Sequence, residues 1–301
     1  MGKVLLVGLA ALVASSLVPG AARAQSAPRI DAEVNYVYAA QFGFGGYNIG
    51  GLSVQVYSIP IEFTVPDLVL DWDLRIGLPV LYGRYELSGA TEGLEVSATT
   101  NTLGFQPRLQ LDIPIVEGLR VSPRGSFGFA VPFGSNLNVR DRGEPVGNVA
   151  LDDEVFYAYE IGVSALYERE LSDFTLSLGS AFLYAGDAPF ASSDTSQSEG
   201  YGTFRAGVDV RHPLGFEIGD LVPDASVFFI YSVFTPALKF TRVGDNVLSV
   251  PQIFEIGATL GSETPLVLPG LGDLLDGMRI GAGYDRGRDF EAWHVVFGFP
   301  F

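Results

Sequence analysis

Two imidazoles, a set of arginines and a larger set of carboxylates hold nearly all the chemistry this chain could perform. It has no Cys and only His212 and His294. Thiol chemistry and Cys/His metal centres are therefore excluded, and a Ser–His hydrolytic site would have to use one of those two rings. His212 stands in Arg211-His212-Pro213, where an alternating run ends, and His294 lies inside such a run. Both read as structural. Asp152-Asp153-Glu154 and the pair Asp285/Asp289 are hard-oxygen groups that could attract Ca²⁺. Neither follows the spacing of a calcium loop, so solvated acids are the expectation. The chain shows no phosphate loop and no nucleotide fingerprint, and runs such as Gly43-Phe44-Gly45-Gly46 fit close packing of strands. The expectation is a protein without enzymatic activity, cofactor or metal.

The charges that remain sit in apolar runs of period two, which are strands. Trp72, Leu74, Ile76, Leu78, Val80 and Tyr82 share one face; Tyr157, Tyr159, Ile161, Val163, Ala165 and Tyr167 share another. The opposite faces hold Glu62, Asp73, Arg75, Gln106, Arg108, Arg120, Arg124, Glu160 and Glu168. Later runs add Arg205, Asp209, Arg211, Glu255, Arg279 and Asp285. If the apolar faces meet lipid, the charged faces must point inward, because a charge in hydrocarbon is costly. The spacing predicts about twelve strands, with ten to fourteen compatible. They are Val34–Tyr38, Leu52–Phe63, Trp72–Tyr85, Leu103–Leu111, Leu119–Val131, Val155–Tyr167, Phe174–Tyr184, Tyr201–Val210, Ser226–Phe234, Ile253–Leu260, Met278–Tyr284 and Glu291–Phe301. Polar connections (Gln41–Gly51, Ser88–Ser97, Gly134–Asp153, Gly186–Gly200, Thr235–Ser249, Asp285–Asp289) alternate with others that are shorter or more apolar. The second kind comprises Val65–Leu70, Asp112–Gly118, Leu171–Asp173, Pro213–Asp224 and Glu263–Gly277, with one amphipathic helical turn expected at Leu266–Leu275. The first set is expected outside the cell and the second in the periplasm.

Both ends support an exported membrane protein. Lys3, the apolar stretch Val4–Val13 and Ala22-Arg23-Ala24 read as a signal peptide over residues 1–24, which leaves 25–301 as a single domain. No later stretch reaches the roughly 18 apolar residues of a spanning helix. At the other end, Trp293, Val295, Phe297, Phe299 and Phe301 fall on one face. His294, Phe299 and Phe301 resemble the C-terminal targeting strand of bacterial outer-membrane β-barrels, with Val296 where Gly is usual and Gly298 nearby. That resemblance implies an all-β, antiparallel up-and-down transmembrane barrel in a Gram-negative outer membrane. Lipid, lipopolysaccharide and the barrel-assembly machinery are its implied partners. Composition agrees: 18% of residues are charged, 37 are Gly and mean hydropathy is +0.28, against about 25% charged in soluble domains. The net charge of −17 falls to −19 once the two positives Lys3 and Arg23 are removed, and such a polyanion is a poor partner for nucleic acid.

The inward charges nearly balance in sign, and two arrangements follow. Arg and carboxylates can interlock as the core of a closed barrel. Alternatively, Arg75, Arg108, Arg120 and Arg124 can form a basic wall that faces acidic groups across water, with Glu160, Arg205, Asp209, Glu255 and Arg279 also lining the lumen. In strand number and basic wall the second arrangement resembles the small twelve-stranded, Arg-lined porins for acidic sugars. It implies a narrow channel for small hydrophilic or anionic solutes. A closed barrel with acidic surface loops is the alternative, and a lipid-modifying enzyme a third. The last needs a Ser–His pair at the outer rim; His212 is expected at the periplasmic rim, and no His-x-Ser-Asn motif surrounds His294.

Overall fold

The computed structural model describes residues 2–4, 32–34, 43–49, 52–59, 61–91, 94–150, 155–190, 199–219, 221–240, 248–262 and 279–301. Sixteen segments join in one antiparallel sheet. Four strands are each interrupted once, so the segments make twelve strands. These are β1 (Phe44–Ile49), β2 (Leu52–Ile59, continuing as Glu62–Val69), β3 (Trp72–Gly77, continuing as Val80–Thr91) and β4 (Leu94–Phe105, continuing as Arg108–Val116). They continue with β5 (Leu119–Asp141), β6 (Glu144–Ala150, then Phe156–Leu171), β7 (Phe174–Pro189) and β8 (Glu199–Pro213). Last come β9 (Pro223–Phe240), β10 (Leu248–Ser262), β11 (Ile280–Gly287) and β12 (Phe290–Val296). Each pairs with the next, and β12 pairs back onto β1, with Trp293 opposite Gly46 and Phe290 opposite Ile49, so the sheet closes. Gly2–Val4 and Ala32–Val34 form a separate two-stranded ladder; the rest of the expected signal peptide lies outside the described residues.

Hairpin geometry sets the orientation. Leu70 and Asp71 both have positive φ, 51° and 64°, the backbone of a two-residue type I′ turn. Glu117–Gly118 and Ser172–Asp173 are equally tight and lie on the same rim. Short turns mark the periplasmic end of such barrels. Toward the other rim several strands run long: β5 has 23 residues, more than twice the 9–11 that cross a bilayer.

Strand length corrects several expected connections. Ser88–Ser97 and most of Gly134–Asp153 are strand, paired from Leu87–Ala98 to Thr91–Leu94 and from Asn136–Ala150 to Asp141–Glu144. Their outward residues are polar because the strands here stand above the lipid in water; their inward residues, Leu87, Val96 and Leu137, are buried and apolar. Val65–Leu70 and Asp112–Gly118 likewise shrink to turns. The Gly-rich stretch Gln41–Gly51 contains β1. Gly45 is what lets β12 lie against it, since a Cβ there would overlap His294. The expected first strand Val34–Tyr38 lies beyond Val34 outside the described residues, as does the expected turn Leu266–Leu275.

The outer face is an apolar belt. Ile59, Leu109, Ile161, Val227, Ile256 and Trp293 are each more than half exposed, an arrangement that suits hydrocarbon and not water. Toward the extracellular rim, aromatic pairs run around the barrel: Tyr57–Tyr82, Phe127–Tyr157, Tyr159–Tyr184, Tyr231–Phe254 and Tyr284–Trp293. This is the interfacial girdle of a membrane barrel. The inner face of the extracellular half is apolar too. Tyr47, Leu52, Tyr85, Leu137, Phe156, Tyr201, Phe234 and Phe290 belong to one buried cluster, to which every strand except β11 contributes. The chain thus builds a conventional packed core inside the upper barrel, above its charges.

Candidate functional site

Below that apolar layer the inward charges form ion pairs. Arg75 Nη2 lies 2.6 Å from Asp112 Oδ2, and its Nη1 lies 3.7 Å from Glu62. Arg108 Nη2 donates to Glu62 at 3.1 Å, and Arg124 Nε donates to Glu160 at 2.9 Å. Arg205 reaches Glu255 at 3.5 Å, and Arg279 reaches Asp224 at 2.5 Å. His294 lies between two carboxylates, with Nε2 3.1 Å from Glu255 and Nδ1 3.3 Å from Asp285. Arg120 adds its charge beside Asp112, and buried Asp209 bonds Ser226 near Arg279 and Arg211.

The geometry depends on bare backbone at chosen places. Arg108 on β4 reaches Glu62 on β2 by passing over Gly77 on β3, where a Cβ would lie 3.4 Å from Arg108 Nε. Arg279 reaches Asp224 on β9 over Gly261 on β10, where a Cβ would lie 2.8 Å from Arg279 Nη1. At Gly261 any Cβ would collide with the crossing guanidinium, whereas at Gly77 a Cβ alone would sit at the edge of ordinary contact with Arg108 and only a larger side chain would block the crossing.

Two carboxylates of this network lie in stretches that sequence reading assigns to turns. Asp112 and Asp224, 5% and 0% exposed, begin or end expected connections. The signal that could have found them is inward parity with Arg75 and Arg279 along strands longer than a bilayer requires. Asp285 and Asp289, both expected to be solvated loop acids, part company: Asp289 is exposed on a hairpin tip, but Asp285 is buried in the lumen, because it falls on the inward face of β11 opposite Glu255. Asp152-Asp153-Glu154 lies outside the described residues. Glu255, Asp285 and His294 bring ligand atoms within 4.8 Å of one another, but they already bond each other and Arg205.

The chain end departs from the lipid face predicted for it. The ladder stops at Val296, and Gly298 has φ +94°, a conformation that glycine adopts without steric cost. Phe297 is still on the outer face, but beyond Gly298 the chain turns inward. Phe301 is 8% exposed and packs with Leu166, Ala181, Phe228 and Ile230, in contact with Phe299. Its ring rests on Gly179 and Gly207, which face each other across β7 and β8, beneath the Arg205 guanidinium at 5.7 Å. His294 and Phe301 therefore both point into the lumen, by different routes.

Between the apolar layer and the ion pairs lies a cavity of about 170 Å³, lined among others by Arg108, Arg124, Arg205, Glu160, Gln106 and Pro300.

No protein-family model matches the chain, and no curated protein matches it. Among solved structures, the beta domain of the Bordetella autotransporter BrkA is similar over 83% of this chain and 93% of that chain, at 12% identity and a TM-score of 0.49. By its own closed ladder and apolar belt, the chain is a β-barrel of the outer-membrane type.

Proposed function

We propose that this protein is exported by its N-terminal signal segment to the outer membrane of a Gram-negative bacterium. There it is a closed barrel that presents its extended hairpins at the cell surface for interaction, with lipid and lipopolysaccharide around it and no catalytic role. The observation that carries the closed reading is the pairing of Arg75, Arg108 and Arg124, the expected pore wall, with Asp112, Glu62 and Glu160. Burial supports closure most strongly at Arg124 and Glu160, which are 11% and 6% exposed, while Arg75 and Arg108 are 29% and 36% exposed. The apolar cluster above them supports the same reading, because a dry layer opposes ion passage.

A second reading keeps the channel: a narrow passage for small anionic solutes. The cavity beside Arg108, Arg124 and Arg205 favours it. Planar-bilayer recording of the refolded chain in a salt gradient decides between them. The closed reading expects no stable conductance steps from a verified, heat-modifiable barrel. Anion-selective steps that lose selectivity in Arg108→Ala/Arg124→Ala would establish the channel instead.

A further inference from the structure

The cavity has a chemistry of its own, and the barrel wall beside it is unusual. Arg108, Arg124 and Arg205 face it with one carboxylate of the lining, Glu160. Glu62 and Glu255 bond two of these arginines from the far side. Each of these ion pairs engages one nitrogen of a guanidinium that has five N–H donors, so donors remain for an anion. Gln106 and Ser126, bonded at 2.8 Å, supply neutral polar groups. Apart from Ser58, the rest of the lining is apolar or backbone, including Leu81, Leu183 and Pro79. A cavity of about 150 Å³ accommodates a molecule the size of benzene. At about 170 Å³ this one takes an anionic group and a few carbons, and no more.

The wall supplies the direction from which such a group would come. Register on either side (Val80 opposite Phe105, Gly77 opposite Arg108) sets Pro79 opposite Gln106 and Leu78 opposite Pro107. Proline has no N–H, so each ladder loses one donor at this height. Between β3 and β4 the surviving bond, Gln106 N–H to Pro79 O, is 3.5 Å long; between β4 and β5, Phe127 N–H to Pro107 O is 3.2 Å. Two adjacent seams are thus weakened side by side. They are weakened where Phe105 and Phe129, which line the cavity, hold their rings on the lipid face at 44% and 43% exposure. Upward lies the buried apolar cluster.

We infer that the cavity binds the headgroup of an anionic amphiphile, whose tail lies in the β3–β4–β5 wall through which it arrives from the membrane. This goes beyond the closed-barrel reading and holds whether or not the lumen conducts.

The test uses the full refolded chain in phosphatidylcholine nanodiscs, with dodecanoate, acetate and dodecanol as probes in calorimetry. Dodecanoate should bind at one per barrel, with acetate and dodecanol each at least about tenfold weaker, since each lacks one half of the recognition. Arg108→Gln should weaken dodecanoate about tenfold; Glu62 then keeps Arg75 as a partner, so the fold survives, which heat-modifiable migration confirms. Pro79→Val/Pro107→Val restores both donors and should slow dodecanoate association several-fold in stopped flow at unchanged affinity. Acetate binding as tightly as dodecanoate would reduce the site to one for free anions and overturn the amphiphile. No saturable binding of dodecanoate, or equal binding by Arg108→Gln, would overturn the site. Unchanged association in the double valine variant would overturn the route through the wall.

Discussion

Gly179→Ala tests the inward turn of the chain end. A Cβ at position 179 would overlap the ring of Phe301, and the three nearest atoms it would meet all belong to that residue. Either the ring leaves its seat or β7 and β8 shift. Leaving the seat exposes a phenyl group that is 8% exposed now, which costs about 1.5–3 kcal/mol. It also forfeits the Arg205 contact at 5.7 Å, worth about 0.5–1 kcal/mol. The substitution should therefore destabilise the barrel by about 2–4 kcal/mol. Any intrinsic preference of a strand for Ala over Gly, about 0.5–1 kcal/mol in the opposite sense, cancels in a double-mutant cycle with Phe301→Ala. Phe301→Ala alone should cost about as much as Gly179→Ala, and the double variant little more than either single one. That makes a coupling of about 2 kcal/mol. Urea unfolding in lipid vesicles reads it through the emission shift of Trp293, which is 66% exposed on the belt and leaves lipid on unfolding. If Gly179→Ala costs the same with and without the Phe301 ring, Phe301 does not occupy that seat and the inward turn is refuted.

Three further outcomes follow from the same geometry. Glu160→Leu leaves Arg124 buried without its 2.9 Å partner and should cost about 3–5 kcal/mol in urea unfolding, whereas Arg84→Ala, in an exposed pair with Glu86, should cost less than about 1 kcal/mol. Gly77→Val should break the Arg108–Glu62 bond by blocking the crossing of β3; the cost should nearly vanish in an Arg108→Gln background, read by the same unfolding assay. Ile161→Arg, in mid-belt at 64% exposure, should destabilise by about 2–4 kcal/mol; a neutral result would mean that this face does not meet lipid.

Period-two alternation found eleven of the twelve strands and their faces; β1, in the Gly-rich stretch Gln41–Gly51 read as a connection, was missed. Tyr157 to Tyr167 and Phe127 to Phe133 lie outward because a strand repeats every second residue, and lipid tolerates no charge on that side. The same parity placed Arg75, Arg108, Arg124, Arg205 and Glu255 inside. Polarity misled where strands stand above the bilayer: there the outward residues face water, so Ser88–Ser97 and Gly134–Asp153 look like loops while pairing as strands. The apolar upper core was legible in hindsight from Leu52, Val54 and Val56, apolar at inward positions, but that run alone does not say what fills the space opposite.

What only the tertiary structure decided is who meets whom across strands. Nothing in local sequence couples Arg279 to Asp224 or Arg108 to Glu62; register and a glycine on the strand between do. Nor does the alternation of Trp293 to Phe301 reveal that Gly298 turns the last residues inward, because a period describes a strand only while its ladder continues. Two prolines separated by 28 positions become one weak place in the wall through pairing alone. Sequence set the faces through the geometry of a single strand; closure of the barrel set the contacts, because those depend on distances that no single strand contains.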